Sequence, residues 1–343
     1  MSTAVIDPCH VVSDETMPFL AQALDPVQVQ RCLEECCPSW LKHLGKTEVR
    51  NIRVIRHKPG RRCLIEYELE SRDGPSKSIS ILGKVRAKGL DRKTFRVQQL
   101  LWNGSFGPAS EDGIQVPEPI GVVPPLNMWL QAKAPGVPVT EMLAKPNVKQ
   151  VAKQIAEGIH KLHFTDIPTP RTHSMADELR ILHERLHLVA RTRPAWARRL
   201  EKLAQDCDRL GASVPAPRVT GIHRDFYPAQ VLVDGTHLYF LDFDLFCRGD
   251  PALDVGNFLG HVIEQSLRTV ENAQALAECR EVLKEHFVDL SGDGVRAGIE
   301  AYTTLTLVRH IYLSTQFPER HRCTEPLLEL CEERLALQST RMR

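Results

Sequence analysis

Three acids and an amide gather around one predicted turn. Asp225, Gln230, Asp242 and Asp244 all fall within the stretch from Gly221 to His261. Two apolar runs, Val231 to Val233 and Leu238 to Leu241, flank Asp234-Gly235-Thr236-His237. Asp-Gly between apolar runs is a strong hairpin signal. In an antiparallel hairpin the residue before the first strand lies beside the residue after the second, so Gln230 comes next to Asp242. The loop from His223 to Ala229 sits at the same end. The spacing therefore predicts Asp225 and Asp242 at one mouth, although 17 positions separate them. Such an oxygen-rich set suits Mg²⁺, which takes few carboxylates and leaves its remaining positions to water and phosphate. Phosphoryl transfer asks for little more than that ion and one carboxylate that orients a hydroxyl and accepts its proton. Asp225 fits the base role and Asp242 the metal role. Asp244, two residues on, shares a strand face with Asp242 and is either a further ligand or a turn cap.

The elements that must hold these residues change character along the chain. Asp25 to Leu44 reads as a helix, with Asp25 as N-cap and Pro26 in the first turn. Asn51 to His57 and Arg62 to Glu70 read as strands joined by Lys58-Pro59-Gly60-Arg61. A second turn, Ser71 to Lys77, contains Asp73-Gly74-Pro75 and leads into a third strand, Ser78 to Arg86. Asp91 to Trp102 has helical spacing, and two strands follow at Pro119 to Val123 and Met128 to Lys133. Pro135, Gly136 and Pro138 break the pattern at a predicted hinge. Helices are then expected at Val148 to Phe164, Ala176 to Val189, Ala195 to Leu210, Ala252 to Leu267, Ala273 to Phe287, Gly294 to Gln316 and Glu325 to Leu337. Strands first and helices later predict an α+β chain of two lobes rather than a βαβ sheet. The expected division is a small antiparallel-sheet N-lobe over residues 1–133, a hinge at 134–138 and a larger helical C-lobe over 139–343.

The motif order carries a resemblance. His223-Arg224-Asp225, then Gln230, then Leu241-Asp242-Phe243-Asp244, then Gly249-Asp250-Pro251-Ala252-Leu253-Asp254 resembles the aminoglycoside phosphotransferase and choline kinase family. That resemblance implies a two-lobed protein-kinase-like fold and a kinase that moves the γ-phosphoryl group of ATP or GTP to a hydroxyl of a small metabolite or aminoglycoside-like substrate. By position it implies Asp225 as base, Gln230 and Asp242 as Mg²⁺ ligands, and Asp250 and Asp254 as braces of the catalytic loop. His223 reads as a structural partner of the loop backbone. In the first half, Lys84 matches the strand lysine that contacts phosphates. The turn from Lys58 to Arg62, with Arg61, matches the phosphate-covering loop, and Gln131, Ala132 and Lys133 match the start of the segment beside the adenine. Two positions depart from the pattern. Gln230 stands where the family has asparagine, and the helix expected to give Lys84 a glutamate has no acid after Asp91, leaving Gln98 or Gln99 to accept its hydrogen bond.

Bulk properties narrow the alternatives. The chain has 343 residues, 42% hydrophobic and 25% charged, with a formal net charge of +1. At about 150 residues per domain this predicts two domains or two lobes. Nothing global points to nucleic acid or a membrane surface as a partner. Ten cysteines are scattered without a CxxC pair, and Met1 to His10 lacks a basic start followed by an apolar run. Reduced thiols and a cytoplasmic location are the expectation. The Cys32, Cys36, Cys37 and His43 group lies on a predicted helix without metal-ligand spacing and reads as packing. His160 and His163 read as packing or surface groups. No Walker or GxSxG motif occurs. A nucleotide-binding scaffold without transfer and a metal-dependent hydrolase remain as alternatives. Acceptor identity and oligomeric state are open at this level.

Overall fold

Period-two alternation shapes the first part of the chain. The computed structural model describes residues 3–71, 78–270 and 276–341. The chain divides into two units, Met1–Pro135 and Gly136–Arg343. The first holds β1 (Ala4–Ile6), α1 (Leu20–Ala23), α2 (Pro26–Cys36), α3 (Pro38–Leu44), β2 (Thr47–Lys58), β3 (Arg62–Ser71), β4 (Ser78–Arg86), α4 (Arg92–Asn103), β5 (Ile114–Gln115), β6 (Pro119–Val123) and β7 (Met128–Ala132). Six of its strands form one sheet in the order β1-β2-β3-β4-β7-β6. β2, β3 and β4 are the predicted antiparallel meander, with register shifts in β2 between Val49 and Asn51 and between Val54 and Arg56. On β3, Cys63, Ile65, Tyr67 and Leu69 are buried in alternation, which is what one packed face demands. They join a core with Leu20, Val29 and Leu33 of the first helices. The turn expected at 71–77 lies outside the described residues after Ser71.

The helix expected from Asp25 to Leu44 is two helices. Asp25 caps the first as predicted, its carboxylate accepting from the backbone of Val27 and Gln28. The break falls at Cys37, which leaves helical geometry because proline follows it.

The second unit holds β8 (Val137–Pro138), α5 (Val148–His163), α6 (Met175–Thr192), α7 (Ala197–Ser213), β9 (Thr220–Ile222), β10 (Val231–Asp234), β11 (His237–Phe240), β12 (Cys247–Gly249), α8 (Ala252–Val270), α9 (Ala277–Ser291), α10 (Arg296–Gln316) and α11 (Thr324–Arg341). The predicted helices lie here within a few residues of their expected ends. The expected start at Ala273 lies outside the described residues. β10 and β11 form the Asp-Gly hairpin, Val231 opposite Phe240 and Asp234 opposite His237, with Gly235 at φ 59°. Val137 and Pro138, expected within the hinge, are strand residues opposite Val233 and Leu232. α8 and α10 pack closely because Gly256 and Gly260 face α10. A Cβ on Gly256 would lie 2.5 Å from Cβ of Tyr302, and one on Gly260 would lie 2.7 Å from Cβ of Thr306.

Candidate active site

The hairpin brings its flanking loop to the predicted mouth. Past the paired strands, the Leu241 N–H donates to the Gln230 carbonyl at 2.9 Å. The His223 ring is fully buried, and its Nε2 lies 2.7 Å from the Leu241 carbonyl. A carbonyl only accepts, so Nε2 carries the proton. The bond ties the loop that carries Asp225 to the residue before Asp242. Phe226 and Phe243 pack on the imidazole at ring distances of 5.5 and 4.9 Å.

One face of α8 grips the loop. Asp254 is fully buried and accepts from the His223 N–H at 2.8 Å and the Arg224 N–H at 2.6 Å. Its Oδ2 also lies 2.9 Å from Nε2 of His163 on α5. Asn257, one helical turn on, donates from Nδ2 to the Phe226 carbonyl at 2.9 Å. His261 stacks on Tyr227 at 4.6 Å with an 18° interplanar angle. Positions i, i+3 and i+7 share a helix face, so α8 holds the residues before and after Asp225. Asp225 itself is half-buried at the centre of this span.

Two non-glycine residues of the site adopt left-handed geometry, Arg224 at φ 70° and Asp242 at φ 62°. Such residues cluster where surrounding bonds over-determine the backbone. Asp254 supplies those bonds for Arg224. Asp250 is buried and accepts from the Ala252 N–H at 2.9 Å. Burial pushes its carboxyl above the usual range, opposed by that bond and by the Tyr302 hydroxyl. Asp250 therefore braces the start of α8, while Asp254 braces the loop.

The two residues expected to hold a metal, Gln230 and Asp242, carry oxygen donors. Gln230 is buried, and its Nε2 donates to the Tyr227 hydroxyl at 3.2 Å. With Nε2 on that hydroxyl, Oε1 is the amide atom left for a metal, although a hydroxyl accepts either amide orientation. An amide oxygen and the Asp242 carboxylate are both oxygen donors of the kind Mg²⁺ takes, with its remaining positions left to water and phosphate. Among the described residues no group of three or more His, Cys, Asp or Glu could hold a metal.

In the first unit, Lys84 lies on β4 opposite Leu64 and Trp129, with Nζ 4.8 Å from the centre of the Trp129 ring. Gln98, expected to accept from Lys84, has its Oε1 buried without a hydrogen-bond partner among the described residues. Gln98 is fully buried and donates to the Pro117 carbonyl at 2.8 Å and to Oε1 of Gln131 at 3.2 Å. Gln131, expected beside a nucleobase, has its side chain in this core contact and is 3% exposed. Gln99 accepts from Arg96. The N–H groups of Ala132 and Lys133 serve the Glu118 and Ser80 carbonyls, and the Lys133 ammonium pairs with Glu66 at 2.6 Å.

Arg61 is exposed at the tip of the β2–β3 turn. That turn is pinned by Asp14, whose Oδ2 accepts from the Gly60 N–H at 2.8 Å and lies 2.9 Å from Nε2 of His57. Bonds from Thr16 and Gly60 hold the Asp14 carboxyl well below the usual range.

Asn257, Tyr227 and His163 were missed as parts of the site. For Asn257 a signal existed, since it falls on the same α8 face as Asp254. No helix of the described residues is long and apolar enough to cross a membrane.

Comparison with known proteins agrees with this architecture. The model of the phosphotransferase enzyme family matches residues 107–286. No curated protein sequence matches the chain. Among solved structures, choline kinase from Cryptosporidium parvum Iowa II is 14% identical, covering 93% of this chain and 96% of that one, with a TM-score of 0.58. Spectinomycin phosphotransferase in complex with ADP and spectinomycin is 11% identical, over 90% and 94% of the two chains, with a TM-score of 0.56. An aminoglycoside phosphotransferase in a ternary complex with AMP-PNP and hygromycin B is 13% identical, over 90% and 97%, with a TM-score of 0.56. These likenesses establish the protein-kinase-like fold, and the family match spans more than half of the chain. The chain belongs to the phosphotransferase enzyme family.

Proposed function

We propose that this chain transfers the γ-phosphoryl group of ATP or GTP to a hydroxyl of a small molecule, with Asp225 as the base. The observation that carries this reading is the grip of α8 on both sides of Asp225, in a loop that His223 ties to the residue before Asp242. A carboxylate so held can orient an acceptor hydroxyl and take its proton. Asp242 and Oε1 of Gln230 would hold Mg²⁺. Bound there, the ion supplies charge neutralisation on the transferring phosphates. Within the first unit, the Lys84 ammonium lies 4.8 Å from the centre of the Trp129 ring, a cation of the kind that contacts phosphate oxygens. Structural neighbours described with ADP and with AMP-PNP support a nucleotide as donor. Ten free thiols suit a reducing compartment such as the cytoplasm.

Asp225→Asn should abolish transfer while MgATP still raises the melting temperature. Wild-type turnover by that variant would remove Asp225 as the base. A second reading, nucleotide binding without transfer, draws on Gln230 at the metal position and on Gln98, which bonds Pro117 and Gln131. ATP turnover that is lost in Asp242→Ala would exclude it.

A further inference from the structure

A buried amide holding a catalytic loop must have a fixed orientation. Asn257 is fully buried, and its Nδ2 donates to the carbonyl of Phe226, the residue after Asp225. A flip of this amide would set Oδ1 against the Phe226 carbonyl, acceptor against acceptor. The group that decides between the two orientations comes from another helix. Arg309 of α10 donates from Nη2 to Oδ1 of Asn257, and the Thr306 hydroxyl adds a contact at 3.3 Å. A guanidinium has only donors, so it admits Oδ1 on its side and excludes the amide nitrogen. Gly256 and Gly260 let α10 come close enough to α8 to deliver it.

Arg309 is itself anchored. Its Nη1 lies 3.7 Å from Oε2 of Glu178 on α6, and Glu178 bonds the His173 ring at 2.5 Å. Burial pushes the Glu178 carboxyl up. The His173 bond and the charges of Arg309 and Arg224 outweigh burial and hold it below the usual range. The Arg309–Glu178 pair therefore bears on the flank after Asp225, through Asn257 and the Phe226 carbonyl. Arg309 lies beyond residues 107–286, the span the family model matches.

We infer that Arg309 is a positioning residue for the Asp225 loop, acting through the orientation of Asn257. The inference rests on the reading of Asp225 as the base, but its geometric half stands without it. The test uses the full chain, with MgATP hydrolysis as the turnover probe and backbone hydrogen exchange of His223 to Phe226 as a readout free of chemistry. Arg309→Met should lower kcat for MgATP hydrolysis about tenfold with KM within about twofold, and speed exchange in the loop by a similar factor. Arg309→Lys, which keeps a cationic donor, should recover kcat to within about threefold. Asn257→Asp, isosteric but lacking the donor, should reproduce the Arg309→Met defect. Adding Arg309→Met to Asn257→Ala should cost nothing further, because the two act in series. Wild-type exchange in Arg309→Met, or defects that multiply in the double variant, overturn the inference. A wild-type protein without Asp225-dependent turnover would instead sink the proposed function, and loop exchange would still decide the role of Arg309.

Discussion

Asp254→Asn isolates the brace beneath the Asp225 loop. The carboxylate serves three donors, the backbone N–H of His223 and of Arg224 and the ring nitrogen of His163. Oδ2 serves two of them and Oδ1 one, so the better amide orientation keeps its oxygen at the Oδ2 position. The new NH₂ then faces the Arg224 N–H, donor against donor. Losing that charge-assisted bond in a fully buried site costs about 1.5–3 kcal/mol. The two surviving bonds become neutral and lose roughly half their strength, about 1 kcal/mol each. The sum, about 3.5–5 kcal/mol, is a large part of the stability of an ordinary domain. For a unit of this size it should lower Tm by roughly 10 °C. Calorimetry of wild type and variant, with and without MgATP, would measure it. Because Arg224 precedes Asp225, the proposed base, kcat should fall as well in the molecules that remain folded. A variant melting within about 2 °C of wild type would show that Asp254 does not hold the loop.

Two further predictions concern the same neighbourhood. Arg224→Gly and Arg224→Ala both remove the guanidinium that acts on Glu178, but only glycine relieves the left-handed backbone. The glycine variant should therefore be more stable than the alanine variant by about 1 kcal/mol in urea denaturation, and equal stability would show that φ 70° carries no strain. His310 of α10 packs edge-on to His261 at 4.4 Å, and burial pushes its pKa from 6.5 down to about 3. Below about pH 6.5 the unfolded chain takes a proton that the folded chain refuses until about pH 3. Its stabilising neutrality is intact above that window and is lost as pH falls through it, by up to about 1.4 kcal/mol per pH unit. Urea denaturation at pH 7 and pH 5 should show a smaller acid loss in His310→Gln, and equal losses would refute the assignment.

What the sequence made legible had a local cause. Asp234-Gly235 fixed the hairpin and, through it, the meeting of the Asp225 loop with the Asp242 segment. The alternation from Cys63 to Leu69 announced β3, and helical spacing announced most of the second unit. What stayed hidden depends on contacts between distant segments. β1 has three exposed residues and only a parallel pairing with β2 to define it. Asp14 reaches the turn at Gly60 across 46 positions. Asn257 shares the α8 face of Asp254, but its partner Phe226 lies 31 positions away and is not named by the helix. Gln98 could not be assigned from α4 alone, because its partners Pro117 and Gln131 come from later segments. Pro38 was visible, but a helix read by periodicity alone ran across it.

The arrangement around Asp225 divides labour between sequence-local and sequence-distant groups. Local chemistry makes the hairpin and places the acids near one end of it, but it leaves the loop backbone undetermined, since Arg224 must sit at positive φ against its intrinsic preference. A single helix removes that freedom by holding the N–H groups before Asp225 and the carbonyl after it. A rigid helix face fixes the spacing of its own side chains, so Asp254 and Asn257 hold their targets at a set separation. Asp225 then inherits that precision without being held itself. The same logic explains why the supporting layer is polar. An apolar residue in place of Asp254 would strand two buried N–H groups, and one in place of Asn257 would strand a carbonyl, so this part of the core specifies a backbone shape as well as filling space.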